Sequence, residues 1–271
     1  MSLINFLDQL QQEDLLNKDE KDTLLNRRDA FGKMTKFSKM LAVSALPLGF
    51  IGAFAKPAKA QSTGEIVDVL NFALTVEHLE NEYYMTGVAE SGLIPSGKDA
   101  DIFAQVQKHE EQHVNFLIDV IESLGGEPIE KPTFDFTVGG AFDPFNNYDQ
   151  YTALAQAFED TGVRAYKGQA ATVQGNAGIL TAALQIHSVE ARHASEIRRL
   201  RGIKGWITED QRGDGMPPQT QPVYDGEDVA TQLGIDLTEV SDVKRHRITQ
   251  AWDEPLTMEE ANAIAGLFIV S

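Results

Sequence analysis

The sequence predicts an all-α protein built on a four-helix bundle, with a long crossover between helices two and three and an irregular C-terminal tail. From Ser62 to Leu200 the apolar residues recur with a period near 3.6, and little of the stretch alternates as strands do. Breaks rich in Gly, Pro and Asn divide that stretch into four segments of helical length. Of the 271 residues, 42% are hydrophobic, enough for a sizeable core, and the absence of cysteine leaves no disulfide or thiolate site to shape it.

Residues 1–60 read as an address. A polar segment, 1–26, leads to Arg27-Arg28-Asp29-Ala30-Phe31 and then to Lys33, Lys36 and Lys39. An apolar run from Met40 to Ala55 follows, and Lys56-Pro57-Ala58-Lys59-Ala60 sets small residues at an A-x-A position before Gln61. This is the charged, apolar and small-residue order of a secretory signal. The paired arginines with a nearby Phe resemble a bacterial twin-arginine signal. That resemblance implies the twin-arginine export machinery as a partner, cleavage near Ala60, and a periplasmic or extracellular mature protein. At 16 residues, broken by Pro47, Gly49 and Gly52, the run falls short of the roughly 20 that span a bilayer, which favours cleavage over a retained anchor.

The first helix is expected from Ser62 or Thr63 to about Ser91, with Ile66, Leu70 and Ala73 on its apolar stripe. Gly92-Leu93-Ile94-Pro95-Ser96 stops it, and Ser96 is the expected cap of the second helix, which runs to Gly125-Gly126. The connection from about Glu127 to Asn147 holds Pro132, Gly139-Gly140 and four phenylalanines. It is too long for a tight turn, so it is expected to cross the bundle. Helix three is expected from about Tyr148 to Val173 and helix four from about Ala177 to Leu200. The bundle thus occupies 61–201. Residues 202–271 form a tail expected to wrap it, with a short helix near 257–265 and with Phe268 and Ile269 packed inward.

The formal net charge is -18 and the sequence pI about 4.6. Residues 1–60 carry nine basic and seven acidic side chains, a net +2, so the chain without them stands at -20. Such acidity repels phosphate backbones and argues against nucleic-acid binding; cations are the natural small partners, although the simpler reading, and the favoured one, is that the charge keeps an exported protein soluble.

The chemistry lies in a repeated pattern. Helix two contains Glu110-Glu111-Gln112-His113 and helix four Glu190-Ala191-Arg192-His193. In each Glu-x-x-His the two side chains share one helical face and can ligate one metal ion. Helix one has Glu77 followed seven residues later by Tyr84, and helix three has Glu159 followed by Tyr166. The chain therefore reads twice as Glu-x6-Tyr then Glu-x-x-His. With 21 Glu and 6 His, chance alone supplies roughly half a Glu-x-x-His match. What chance does not readily supply is the alternation on four successive helices, within stripes such as Ile102, Val106, Glu110, His113, Leu117, Val120. Burying four carboxylates calls for compensating cations, and two divalent ions balance them, with two neutral imidazoles completing the set. Glu80 lies on nearly the same stripe as Glu77 and is its rival, though the spacing to Tyr84 and Glu110 favours Glu77. His187, one turn before Glu190, reads as a hydrogen-bonded core or boundary histidine. His78, His109 and His246 read as lying off the ligand face.

This constellation resembles the ferritin-like di-iron and di-manganese carboxylate superfamily. The chain from Ser62 to Leu200 looks closest to the ferritin-like domain family that includes desiccation-related proteins. The tail segments Tyr224-Asp225-Gly226-Glu227-Asp228 and Asp253-Glu254-Pro255-Leu256-Thr257 are similar to that family too. The resemblance implies two metal ions, iron or manganese. Glu77 and Glu159 would be terminal ligands, Glu110 and Glu190 bridges, and His113 and His193 would bind one ion each. Tyr84 and Tyr166 would orient ligand carboxylates. Such a pair suits redox chemistry on oxygen or peroxide, as in an oxidase, a peroxidase or a manganese catalase. The alternatives are non-enzymatic metal binding and a structural, stress-related role. A homo-oligomer stays open, although the long tail would obstruct a full cage.

Overall fold

The computed structural model describes residues 62–270. The expected twin-arginine-type signal and the expected cleavage near Ala60 lie outside them. Four long helices dominate: α1 (Thr63–Ala89), α2 (Lys98–Ser123), α3 (Tyr148–Gln169) and α4 (Ala177–Leu200). Local chemistry explains most of their starts. Ser62 and Glu65 form a reciprocal capping box at α1, and the side chains of Asn147 and Asn176 accept from Gln150 N and Ile179 N at α3 and α4. The α2 start differs from expectation. Ser96 does not cap it; Gly97 stands at the cap with φ 95°, a left-handed turn that glycine alone makes without strain, and no side chain caps the helix. Helix α3 also stops four residues short of Val173, whose side chain drops into the core instead.

Two hydrogen bonds establish the helix directions. The Tyr84 hydroxyl donates to Glu159 at 2.5 Å and the Tyr166 hydroxyl donates to Glu77 at 2.5 Å. Seven residues span about 10.5 Å of helix, so both bonds form together only if α1 and α3 run antiparallel. Short connections make α1–α2 and α3–α4 hairpins, and the order is up, down, down, up. The segment from Leu124 to Asn147 must then travel the length of the bundle, which is why it is long.

The tail encloses α3. It comprises a 3-10 turn (Pro218–Val223), the hairpin β2–β3 (Thr231–Gln232, Ile235–Asp236), α5 (Leu237–Val240), α6 (Arg245–Thr249), α7 (Met258–Ala265) and β4 (Ile269–Val270). Strand β4 pairs antiparallel with β1 (Thr133–Phe134) in the crossover. Phe268 is buried against Phe158 and Phe136, but Ile269 faces outward at 36% exposure, against expectation, because alternate strand residues point to opposite faces. The polar row Gln156, Asp160, Arg164 on α3 is buried by tail residues. Gln156 donates to the Tyr224 hydroxyl, which in turn donates to Asp160 at 2.8 Å. Asp160 also pairs with Arg198. Arg164 donates to the carbonyls of Val223, Asp225 and Glu254 and pairs with Glu227 at 2.8 Å. Gly168 allows the closest approach: a Cβ there would stand 1.8 Å from the Leu256 carbonyl oxygen. Every residue from Tyr151 to Tyr166 is buried. Among the described residues no helix is long and apolar enough to cross a membrane.

Candidate metal centre

The mid-bundle layer lies between an aromatic core cluster around Tyr83, Phe103 and Tyr151 and an aliphatic one around Leu70, Leu117 and Ile186. All six side chains singled out by the sequence pattern meet there. Glu77, Glu110, Glu159 and Glu190 have no solvent exposure, and His113 and His193 are buried. Their donor atoms form two quartets, Glu77, Glu110, His113, Glu190 and Glu110, Glu159, Glu190, His193, each gathered within 4.8 Å. Glu110 and Glu190 belong to both. Each Glu-x-x-His helix thus supplies a shared carboxylate and one imidazole, as i, i+3 spacing allows.

His113 Nδ1 lies 2.9 Å from Glu110 Oε2, 3.1 Å from Glu190 Oε1 and 3.2 Å from Glu77 Oε2. His193 Nδ1 lies 2.8 Å from Glu110 Oε1 and 3.3 Å from Glu159 Oε2. The two tyrosine bonds cross the bundle, so Glu77 and Glu159 are each held by a phenol from the opposite hairpin. Burial pushes Glu110 up to about 7 and Glu190 up to about 8, with neighbouring carboxylates adding to the rise. Burial lowers the two imidazoles, but the carboxylates around them win: His193 rises to about 11 and His113 rises further. Without metal, protons are the counter-ions.

A ferritin-like domain model matches residues 65–202, from the first turn of α1 to just past α4, about half of the chain. The chain belongs to the ferritin-like domain family. No curated protein matches it closely enough to serve as a relative.

Within this ferritin-like domain a fifth carboxylate adjoins the six side chains. Glu80 has no solvent exposure, and neither of its oxygens has a hydrogen-bond partner among the described residues. Burial, then the nearby Glu190 and Glu159, raise it well above the usual range. Gly162, inside α3, leaves room for it: a Cβ there would stand 3.1 Å from Glu80 Oε1 and 3.4 Å from Glu190 Oε2. A mid-helix glycine costs about 0.5–1 kcal/mol relative to alanine, so this gap is maintained against helix propensity. Glu80→Met in metal-free protein is expected to raise stability by about 1–3 kcal/mol, since it removes a buried polar group without a partner. Denaturant unfolding reads this directly, and a loss of stability would mean that Glu80 has a hydrogen-bonded role.

The histidines off the quartets divide. His109 Nδ1 lies 2.8 Å from His193 Nε2, the nitrogen facing away from the carboxylates, and so fixes that ring. Local spacing offers no sign of this contact, because the partners lie 84 residues apart. His187 Nδ1 bonds the Val163 carbonyl at 3.0 Å. His78 and His246 belong to neither quartet.

Proposed function

We propose that this ferritin-like domain holds two ions of iron or manganese for redox chemistry on oxygen or peroxide, in a protein exported by the twin-arginine route. The observation that carries the reading is the sharing of Glu110 and Glu190 between two quartets, since two ions need common carboxylates to sit side by side. The donor set fits: hard carboxylate oxygens with one imidazole nitrogen on each side suit iron and manganese. Glu110 Oε1, Glu159 Oε2 and Glu190 Oε1 are buried and face the imidazole Nδ1 atoms of His193 and His113 at 2.8, 3.3 and 3.1 Å, so a cation that displaces the imidazole protons would find these lone pairs already gathered.

In this reading Glu77 and His113 would hold one ion, Glu159 and His193 the other, and Glu110 and Glu190 would be shared between them. Such a pair supplies two-electron exchange with small oxidants when bound. The protein's part is positional. Tyr84 and Tyr166 orient Glu159 and Glu77, His109 orients His193, and the apolar layers above and below exclude water. The Arg27-Arg28 signal pattern supports export, and the resemblance to desiccation-related proteins supports a stress setting.

The test is metal analysis by mass spectrometry on full-length protein purified without chelator, beside the double variant Glu110→Ala, His113→Ala. Two iron or manganese ions per chain, lost in the variant, are expected. Folded protein that refuses both metals overturns the reading. Bound metal without turnover of oxygen or peroxide would leave a metal-binding protein and remove the redox role.

A further inference from the structure

The two hairpins carry the same pattern, so positions can be matched across the centre. Glu77 corresponds to Glu159, Tyr84 to Tyr166, Glu110 to Glu190 and His113 to His193. Around Tyr84 the space is packed by Tyr83, Phe103 and Tyr151, all with no solvent exposure. Counting from the matched glutamates, the equivalents of these three aromatics are Ala165, Ala183 and Val69. All three line a cavity of about 110 Å³. Where one half of the bundle is filled with rings, the other is hollow.

The cavity adjoins the centre on all four helices. Its walls include Ala73 and Val76, Leu117, Tyr166, and Ile186, each within about one helical turn of Glu77, His113, Gly162 and Glu190 respectively. Tyr166 forms part of the wall while its hydroxyl donates to Glu77. The wall reaches the surface at Phe116 and Gly178, both exposed. Apart from Tyr166 and Gln169, every lining side chain is apolar. Water needs two to four polar partners to settle in such a space, whereas an apolar cavity of about 150 Å³ takes up benzene or xenon. Close-packed interiors rarely keep voids of this size.

We infer that this cavity binds the apolar part of an organic reactant, a short alkyl or small aromatic group, and presents it to the Glu77–His113 half of the metal centre. The inference rests on the proposed metal centre for its second clause only. Chemistry, size and position point the same way: walls that offer almost no hydrogen bonds, room for a handful of carbon atoms, and a tyrosine that joins the cavity to a centre carboxylate.

The test uses benzene and xenon as probes of the full-length, metal-free protein, followed by ligand-observed NMR and thermal shift. Saturable binding is expected. Ala183→Phe, which copies Phe103 into the hollow half, should abolish it. The milder Ala183→Leu, which is less exposed to overpacking, should weaken it. Neither variant should alter metal stoichiometry. Absence of saturable binding in the parent protein, or equal binding in both folded variants, overturns the inference. Manganese-loaded protein supplies the second arm: bound benzene should show strong paramagnetic relaxation, and relaxation like that of free benzene overturns the link to the centre. Protein that binds benzene but no metal would keep the cavity as a binding site and remove the metal-centre reading alone.

Discussion

Arg164→Met should cost about 3–5 kcal/mol of folding stability, the penalty for stranding one partner of a buried ion pair. The Arg164–Glu227 pair is almost wholly enclosed, with side-chain exposures of 2% and 0%. Arg164 also serves three carbonyls from two separate tail segments. Burial already pushes Glu227 up to about 7 with the guanidinium beside it. Removing that charge leaves a carboxyl that must take up a proton or draw in water. Adding Glu227→Gln should recover part of the loss, and limited proteolysis should cut the tail first in the single variant. Denaturant unfolding measures the cost. A value below about 1 kcal/mol, typical of surface pairs, would show that the tail is held without this clamp.

Metal loading should stabilise the protein by an amount that grows with pH. At a free concentration about a thousand times Kd, binding to the folded state alone adds about 4 kcal/mol. The metal-free protein moves the opposite way. Glu110 and Glu190, raised by burial from 4.5 to about 7 and about 8, hold more protons folded than unfolded through that interval. His193, at about 11 against 6.5, does the same above neutrality. Where the folded state binds more protons, stability falls as pH rises. Between about pH 5.5 and 8.5, then, the metal-free melting temperature should fall while the gap to loaded protein widens. Loading should also release protons to a pH indicator, from His113 and His193 above all. A gap that narrows with rising pH, or loading without proton release, would count against direct ligation by these side chains.

The helices were legible because their burial is local in origin: one apolar stripe per helix, and caps such as Ser62 and Asn176 within a turn of the residues they serve. The centre was legible for a related reason. Glu110 and His113, or Glu190 and His193, must be three apart to point the same way, and that spacing survives in a bare string. Gln156, Asp160 and Arg164 show the limit. Four apart on α3, they make a polar row like any solvated face, yet Tyr224, Glu227 and Glu254 come from far along the chain to cover them. The hollow around Tyr166 was hidden differently. Ala165 and Ala183 are unremarkable helix residues until matched with Tyr83 and Phe103 in the other hairpin.

The burial of α3 gives the bundle a back and a front. Tail residues cover α3 at Gln156, Phe158, Asp160, Arg164 and Gly168, so a molecule entering on that side would have to displace the tail. The front belongs to α2 and α4, which touch each other little and keep outward faces along their length. His109 and the rim at Phe116 both sit on α2. If the centre takes up ions and a small oxidant as proposed, then among the described residues α2 and α4 form the face they would cross, and whatever covers that face would govern their entry.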